Sequence, residues 1–349
     1  MRDVYEHARR LSIPNGLWFC MAVDGSQTFA GWAIPPFTIL KDFCITANGV
    51  PCQAEPVENI PPGTQEYFDR FGIGDLSTRY VFQFVLPLMP ECDDIALTCH
   101  FSGKPASVYS SFFRSNAAEI QTPAFNMLRI MRSDNWEYFR LMGYTQYRHL
   151  KAMIEAHRPD AAAILDWGCG AARVLRYVAK DPRWQVVGVD VDAYNIRWCQ
   201  QTLGDTAAFH VIDPMARCPF PDNSFDVVYG ISVFTHLSRE SEGFWLAELQ
   251  RLLKPGGLAV MTVHGEMTFF KAINDFPTYC RFVRDGFLDV GACPDLSVDG
   301  RPTMSEELYR NVFHTRPHIE MVWGQQFTIV DYIPGGATAH QDYVVMVRK

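Results

Sequence analysis

Apolar positions divide the chain into two halves of different periodicity. Up to about residue 120, short aromatic and β-branched runs such as FAGWAI, RYVFQFVL and IALTCHF alternate with turn signals that include Asn48-Gly49. Several short strands at this spacing predict a small antiparallel sandwich or barrel. We therefore expect an all-β, sandwich-like accessory domain over residues 1–125.

Helical periodicity begins at about Asn126 and continues to Pro159, which predicts a helical linker or cap over residues 126–158. Predicted strands then alternate with predicted helices: the strands are AAAILDW, QVVGVDV, AFHVI, FDVVYGI and GGLAVMTVH. This alternation is typical of an α/β fold with a doubly wound, mostly parallel sheet, here of seven strands. We assign this domain to residues 159–349.

The end of the chain departs from the parallel pattern. QFTIVDYI and DYVVMVRK are joined by the short segment Pro334-Gly335-Gly336, and a parallel pair would need a full crossover. The last two strands should therefore form an antiparallel pair. Before them, residues 267–312 form an insert that is longer than one crossover helix and rich in aromatic residues. It is predicted to be a helical cap, a lid over an acceptor pocket, or both.

The stretch ILDWGCGAARVLR places a glycine turn at the end of the first parallel strand. Open α/β sheets bind ligands there, and glycines let the backbone approach a ligand closely. A dinucleotide fingerprint needs a third glycine where this chain has Arg173. S-adenosylmethionine (SAM) fits better, because Asp166 can offset its positive charge and Arg173 can meet its carboxylate. The candidate cofactor residues of this turn are Asp166, Gly168, Cys169, Gly170 and Arg173.

Later strand ends supply further candidates for the cofactor site. Asp190 ends the second strand, where a carboxylate can accept hydrogen bonds from both ribose hydroxyls, although NAD would use the same acid. Asp213 and Pro214 follow the third strand, at the place of the adenine amino group. Val191 and Ile231, after the second and fourth strands, complete the predicted lining.

Four stretches carry a family resemblance: ILDWGCGAARVLR, VVGVDVDAYNIRWC, PFPDNSFDVVYGISVFTHL and ELQRLLKPGGLAVMTVHG. In this order they resemble class I, Rossmann-like, SAM-dependent methyltransferases, and the resemblance covers roughly residues 135–349. The family's first motif is acid-x-Gly-x-Gly-x-Gly, and Ala172 stands at its last glycine, a departure that should not abolish binding. The finer pattern resembles bacterial methyltransferases of glycan or secondary-metabolite pathways. The resemblance implies SAM as the cofactor.

The predicted reaction is methyl transfer to a small molecule or glycan, with oxygen as the first choice of acceptor atom and nitrogen or carbon as alternatives. A hydroxyl acceptor needs its proton removed, and His264 and His236 follow strands whose ends face the cofactor. Methyltransferases of nucleic-acid amines carry Asn/Asp-Pro-Pro-aromatic where this chain has YGISVF. The net charge of −8 also disfavours nucleic acid as a partner.

Structural roles remain open for several of these residues. Asp213 is also explained as a turn cap, Arg173 as a solvated helix residue and His236 as a loop anchor. Two other functions therefore stay open, a non-catalytic SAM-binding or interaction protein and, less favoured, an NAD-dependent oxidoreductase. No acids and histidines at metal-ligand spacing stand out, so no metal is expected.

The remaining expectations concern location and assembly. The ten cysteines form no CxxC pair, which is typical of reduced thiols and of a cytoplasmic protein. No apolar run of about 18 residues is present, so no membrane span is expected. The N-terminal apolar run GLWFCMAV is better explained as a strand than as part of a signal peptide, because Asp3 and Glu6 interrupt the basic region. A homodimer is possible.

Overall fold

The computed structural model describes most of the chain. The described residues are 2–11, 17–22, 28–34, 43–56, 80–86, 94–101, 104–105, 111–114, 118–131, 133–273, 275–293, 297–298, 301–302, 309–337 and 340–349. None of the helices in these ranges has the length and hydrophobicity needed to cross a bilayer.

The N-terminal part consists of two antiparallel sheets that share one core. Buried residues alternate along the strand Asp94–Phe101 of one sheet. Its buried residues Ile95, Leu97, Cys99 and Phe101 share a core with Phe29 and Phe84 of the other sheet. The predicted β-rich part is thus confirmed as a sandwich. One sheet has the order β1-β2-β6-β5; the other has the order β4-β3-β7-β8, with β9 also on β7. The strands are β1 (Leu17–Ala22), β2 (Thr28–Ile34), β3 (Phe43–Ala47), β4 (Val50–Cys52), β5 (Ala54–Pro56), β6 (Tyr80–Val85), β7 (Asp94–Phe101), β8 (Lys104–Pro105) and β9 (Ser111–Arg114).

A helix, α1 (Arg2–Leu11), precedes the first strand. The sequence interpretation considered only a strand or a signal peptide at this end, so it missed the helix, although the strand itself is present. Most of the helix is polar, and it has one deeply buried aromatic side chain, Tyr5. That side chain packs on the C-terminal insert, a contact between segments far apart in the sequence.

The predicted helical segment before the sheet is broken in two. The helices are α2 (Ala124–Leu128) and α3 (Trp136–His157), and the side chain of Asn135 caps α3 by accepting a hydrogen bond from the Tyr138 amide at 2.8 Å. Leu141 of α3 lies in the sandwich core, whereas Leu150 lies in the core of the following domain. The long helix therefore packs on both parts of the molecule.

Seven strands form the predicted, mostly parallel sheet, in the order β12-β11-β10-β13-β14-β20-β19. The strands are β10 (Ala163–Trp167), β11 (Gln185–Asp190), β12 (Ala208–Val211), β13 (Phe225–Gly230), β14 (Leu253–Val263), β19 (Phe327–Ala337) and β20 (Gln341–Arg348). The first five run parallel, and β20 is antiparallel to both β14 and β19, which confirms the predicted C-terminal pair. Chain order reverses between β10 and β13, the place where such sheets bind ligands.

Helices cover both faces of this sheet, and each face has a core of its own. The helices are α4 (Leu175–Val178), α5 (Ala193–Leu203) and α6 (Arg239–Leu252), with a 3-10 turn at Phe234–His236. Asp192 caps α5, because its side chain accepts the amide of Tyr194 at 3.0 Å. The predicted helix ARVLRYVAK is helical only over the four residues of α4.

The insert was predicted to be a helical cap, but it contains both helices and strands. Its helices, α7 (Glu266–Ala272) and α8 (Phe276–Asp285), are followed by antiparallel pairs of short strands. Phe269, Phe282 and Phe313 are fully buried together, so the aromatic residues pack on the domain as one cap-like unit. The remaining elements are β15 (Phe287–Ala292), β16 (Ser297–Val298), β17 (Arg301–Pro302), β18 (Arg310–His314), α9 (Arg316–Val322) and a 3-10 turn at Trp323–Gln325.

Candidate functional site

The turn after β10 places bare backbone at the carboxyl edge of the sheet. Gly168 and Gly170 have φ angles of 81° and 51°, in the left-handed region that glycine adopts most readily. A Cβ atom on Gly168 would lie 2.4 Å from Cγ2 of Val233, and one on Gly170 would lie 2.8 Å from Cγ2 of Ile130. Both the backbone conformation and the available space therefore require glycine at these two positions.

A cavity of about 170 Å³ opens beside this turn, where β10, β11 and β13 end. Its wall is mostly apolar, with a few charged side chains, as is usual in ligand sites. The predicted cofactor residues in its lining are Asp166, Gly168, Cys169, Gly170, Arg173, Asp190, Val191, Pro214 and Ile231. The other lining residues are Arg129, Ile130, Trp167, Val174, Asp192, Ile212, Ser232, Val233, His236, Leu237, Trp245 and Tyr309.

Asp190 connects the glycine turn to the end of β11. Its Oδ2 atom accepts the amide of Gly170 at 2.7 Å, and its Oδ1 atom accepts the amide of Asp192 at 2.8 Å. Burial raises the pKa of Asp190, and these amide hydrogen bonds oppose the rise. The amide of Val191 also donates to this carboxylate. Its two oxygens have about four acceptor positions in all, so the group can still accept from a ligand hydroxyl.

Asp166 is a buried carboxyl group on the floor of the cavity. The Tyr229 hydroxyl donates to its Oδ2 atom at 2.7 Å. Burial raises the pKa of Asp166 to about 8, although that hydrogen bond and the charge of Arg173 oppose the rise. Uncompensated negative charge is therefore costly here, and a cationic ligand would relieve that cost.

Arg173 provides the opposite charge in the same cavity. Its guanidinium is half-buried and makes no hydrogen bond within the described part of the chain. Burial lowers the pKa of Arg173, and the neighbouring Asp166 is among the groups that oppose this change. An unpaired guanidinium facing a cavity is a suitable partner for a carboxylate.

The structure separates the two residues predicted after the third strand. Pro214 lines the cavity, and its carbonyl accepts the indole N–H of Trp245 at 2.9 Å. Asp213 is exposed and outside the lining, while its neighbour Ile212 is in it. A contact between Asp213 and the adenine remains a prediction that this arrangement does not favour.

Of the two candidate bases, His236 lies at the cavity. Its Nδ1 atom lies 2.7 Å from the carbonyl oxygen of Arg310. Because a carbonyl only accepts, Nδ1 carries the proton and Nε2 has the free lone pair. Burial lowers the pKa of His236 to about 4, so the ring is neutral at pH 7. The ring of Tyr309 stacks on it at a centroid distance of 3.8 Å.

His264 lies next to His236 but does not line the cavity. Its ring centroid is 6.3 Å from that of His236. Burial, followed by the charges of neighbouring histidines, lowers the pKa of His264. A role for His264 as a base remains a prediction, whereas its position suits a supporting contact.

Sequence reasoning missed several residues that line the cavity. Arg129 and Ile130 come from the segment before α3, and Tyr309 comes from the end of the insert. Ser232 has a φ of 63°; its amide donates to Oγ1 of Thr262 at 2.7 Å, and its hydroxyl meets the side chain of Gln341. Of these four residues, only Ser232 had a positional signal in the sequence, because it follows the fourth strand.

Comparison with known families identifies the middle of the chain. Residues 165–261 match the family model described as "Methyltransferase domain". The match begins one residue before Asp166 and ends in β14, so it contains the glycine turn, Asp190 and His236.

Similar curated proteins align with the same part of the chain. The 2-methyl-6-phytyl-1,4-hydroquinone methyltransferase of Synechocystis sp. is 33% identical over 104 residues, which is 30% of this chain and 32% of that protein. The 24-methylenesterol C-methyltransferase 2 of Arabidopsis thaliana is 34% identical over 116 residues, 32% of each protein. The chain thus spans about a third of the length of these relatives.

Among solved structures, a SAM-dependent methyltransferase from Methanosarcina mazei aligns at 19% identity with a TM-score of 0.43, over 56% of this chain and 96% of that chain. An N-methyltransferase from Bradyrhizobium japonicum, in complex with S-adenosylhomocysteine, aligns at 14% identity with a TM-score of 0.40, over 65% and 99%. The assignment depends on the family match and on the strand order, which this chain shows for itself. Residues 165–261 match the methyltransferase-domain family, and they lie in a sheet with the strand order of the class I, Rossmann-like type.

Proposed function

We propose that this chain is a SAM-dependent methyltransferase that methylates a hydroxyl group of a small molecule. The observation that carries the proposal is one constellation: the buried Asp166, the glycine turn and Asp190 line a single cavity within the matched segment. These groups meet the needs of a ligand that is cationic at one end and has ribose hydroxyls at the other.

The residues present fit SAM. Gly168 and Gly170 pack closely on Val233 and Ile130 and also line the cavity, so their backbone is within reach of a ligand. Asp166 would hold the positive end, Arg173 the carboxylate and Asp190 the ribose. Bound SAM supplies a methyl group that its positive sulfur already activates, so the protein mainly has to align the acceptor and take up a proton.

His236 is the proposed base. The Arg310 carbonyl fixes the proton on Nδ1, which leaves Nε2 to take the proton of an acceptor hydroxyl. The low pKa of His236 keeps this lone pair free at neutral pH. Stacking on Tyr309 holds the ring plane. His264 is then a positioning residue behind the base.

The acceptor is proposed to be partly apolar or aromatic. Val233, Leu237, Trp245 and Tyr309 line the same cavity as His236. The curated relatives are named for a phytyl hydroquinone and for a sterol, which both have large apolar parts. The sterol enzyme is named a C-methyltransferase, so carbon is the alternative acceptor atom. A glycan end, which the finer sequence pattern favours, is the second acceptor class to assay.

Calorimetric titration with SAM, S-adenosylhomocysteine and NAD tests the cofactor assignment. SAM should bind the wild-type chain, and Asp190→Ala should weaken that binding by about tenfold or more, which is about 1.4 kcal/mol. Asp205→Ala is the matched control, because Asp205 is exposed just after α5. Binding of NAD in place of SAM, or equal SAM affinity in Asp190→Ala, would contradict the proposal.

Release of S-adenosylhomocysteine with a panel of phenols, quinols, sterols and sugars then tests turnover. His236→Ala should lower kcat by about 10²–10⁴-fold and leave SAM affinity nearly unchanged. His157→Ala, at the exposed end of α3, should behave as wild type. SAM binding without turnover on any acceptor would instead support the non-catalytic alternative.

A further inference from the structure

A second group of reactive side chains lies outside the cavity and has no part in the proposed reaction. Glu242, His314 and His318 converge with exposed fractions of 2%, 0% and 2%. They come from the first turn of α6, the end of β18 and the first turn of α9. Within the described residues, this is the one such group of three potential metal ligands whose ligand atoms all lie within 4.8 Å of one another.

Three ring nitrogens converge on the carboxylate of Glu242. The Oε1 atom of Glu242 lies 3.1 Å from Nε2 of His314, 3.1 Å from Nε2 of His318 and 2.7 Å from Nε1 of Trp323. One carboxylate oxygen offers two lone pairs, so Oε1 can accept from two of these donors, and His318, the third, is also within reach of the second oxygen. The second oxygen has only the longer contact with His318, at 3.2 Å.

The same spacing suits atoms that surround a metal ion. Zinc binds imidazole nitrogen and carboxylate oxygen at about 2.0–2.2 Å, so neighbouring ligands of a tetrahedral site lie about 3.3–3.5 Å apart. The nitrogen-to-oxygen distances of 3.1–3.2 Å are close to that value. Glu242 and the two imidazoles provide three protein ligands, and the second carboxylate oxygen or a water would take the fourth position.

We propose that Glu242, His314 and His318 form a structural zinc site. His314 and His318 have the His-x3-His spacing that is common in such sites. The indole of Trp323 donates to Glu242, which is the kind of outer contact that orients a ligating carboxylate. No metal was expected from the sequence, where no acids and histidines at metal-ligand spacing stood out. The site corrects that expectation, because folding brings Glu242 to His314 across 72 residues.

The site would connect the end of the insert to α6, a helix that packs on the seven-stranded sheet. α6 follows the 3-10 turn that carries His236, while β18 ends the insert and α9 follows it. β18 begins at Arg310, whose carbonyl fixes the proposed base. Zinc would therefore stabilise the side of the cavity that includes Tyr309 and Arg310, at a distance from the cofactor residues.

Metal analysis of the untagged chain, purified without chelators from zinc-supplemented cells, tests the site directly. We expect about one zinc per chain. Replacement of zinc by Co²⁺ should give the intense visible absorption of a four-coordinate site. His318→Gln should lose the zinc and lower Tm, whereas the matched change His157→Gln at an exposed position should alter neither.

Wild-type results decide the matter even if His318→Gln fails to fold. A wild-type chain without zinc that also gives no heat with Zn²⁺ in a calorimetric titration would overturn the proposal, as would full zinc retention in His318→Gln. The zinc proposal and the cofactor proposal can fail independently of each other. Asp190→Ala should keep its zinc while losing affinity for SAM.

Discussion

At the scale of single residues, the buried Asp166 opposes folding once it ionises. Its pKa of about 8 in the folded chain is far above the value of 3.8 for a free side chain. The folded state therefore binds a proton that the unfolded state releases between about pH 4 and 8. Stability that is fully present below pH 4 is lost as the pH rises to about 8.

Replacement of Asp166 by asparagine should remove this loss. The amide keeps an oxygen that can accept from Tyr229 but never ionises. We expect Asp166→Asn to be more stable than wild type by on the order of 2 kcal/mol at pH 8.5, with a difference near zero at pH 4. Urea unfolding at several pH values measures the difference. Asp205→Asn, at an exposed position, should show no such trend, and a flat difference for Asp166→Asn would contradict the argument.

Residues within the motif were predictable because they follow a local rule. A glycine turn after a buried strand, with acids at two strand ends, gives Asp166, Gly168, Gly170 and Asp190 from spacing alone, and all four line the cavity. Arg129 and Tyr309 enter from distant segments, so no local pattern connects them to the site. The sequence also could not show which of the two histidines lines the cavity. Only the packing of the folded chain places His236 in the lining and His264 outside it.

At the scale of elements, the segment of residues 118–131 acts as a strap over the cofactor side of the sheet. Arg176 donates to Oγ1 of Thr122 at 2.6 Å. Arg129 makes a two-pronged contact with Asp192, at 2.6 and 2.8 Å. Ile130 packs on Gly170 and completes the cavity wall.

The forked contact of Arg129 should control how well the strap closes the cavity. Lysine keeps the charge but cannot make two parallel hydrogen bonds, so Arg129→Lys should weaken SAM binding about three- to tenfold. Calorimetric titration measures this change. Arg183→Lys is the control, because Arg183 makes a similar fork with Asp181 where it is half exposed, and its change should be small. Equal effects of the two substitutions would show that the strap does not shape the site.

Elements were predictable where one face is buried and the ends are capped. Strand β10 and helix α5 match their predicted positions, since apolar runs, Asp192 and a following glycine define them. The prediction failed at α4, where the glycine turn extends into the start of the expected helix. It also failed in the insert, because a buried aromatic run does not distinguish a helix from a strand.

At the scale of the whole molecule, the two halves are more closely joined than their different sequence periodicities predict. The predicted boundaries at residues 125 and 158 isolate a linker, but α3 places Leu141 in one core and Leu150 in the other. The first helix makes another long-range connection, from Tyr5 to the insert. Contacts of this kind depend on the folded arrangement and leave no periodic signal in the sequence.

Tyr5 tests whether the start of the chain stabilises the insert. Its ring lies 5.5 Å from that of Phe270, 5.3 Å from that of Phe276 and 5.3 Å from that of Tyr279. Tyr5→Ala should cost about 3 kcal/mol, because it leaves a gap among packed aromatic rings. Hydrogen exchange should become faster in α8, while SAM affinity stays unchanged because the cavity lies elsewhere.

Val4→Ala is the matched control in the same helix, since Val4 is 55% exposed, and it should change stability by less than about 0.5 kcal/mol. If Tyr5→Ala and Val4→Ala behaved alike, α1 would be independent of the insert. If only Tyr5→Ala accelerates exchange in α8, the first helix and the insert fold as one unit, and removal of the N-terminal residues would loosen the insert next to the methyltransferase sheet.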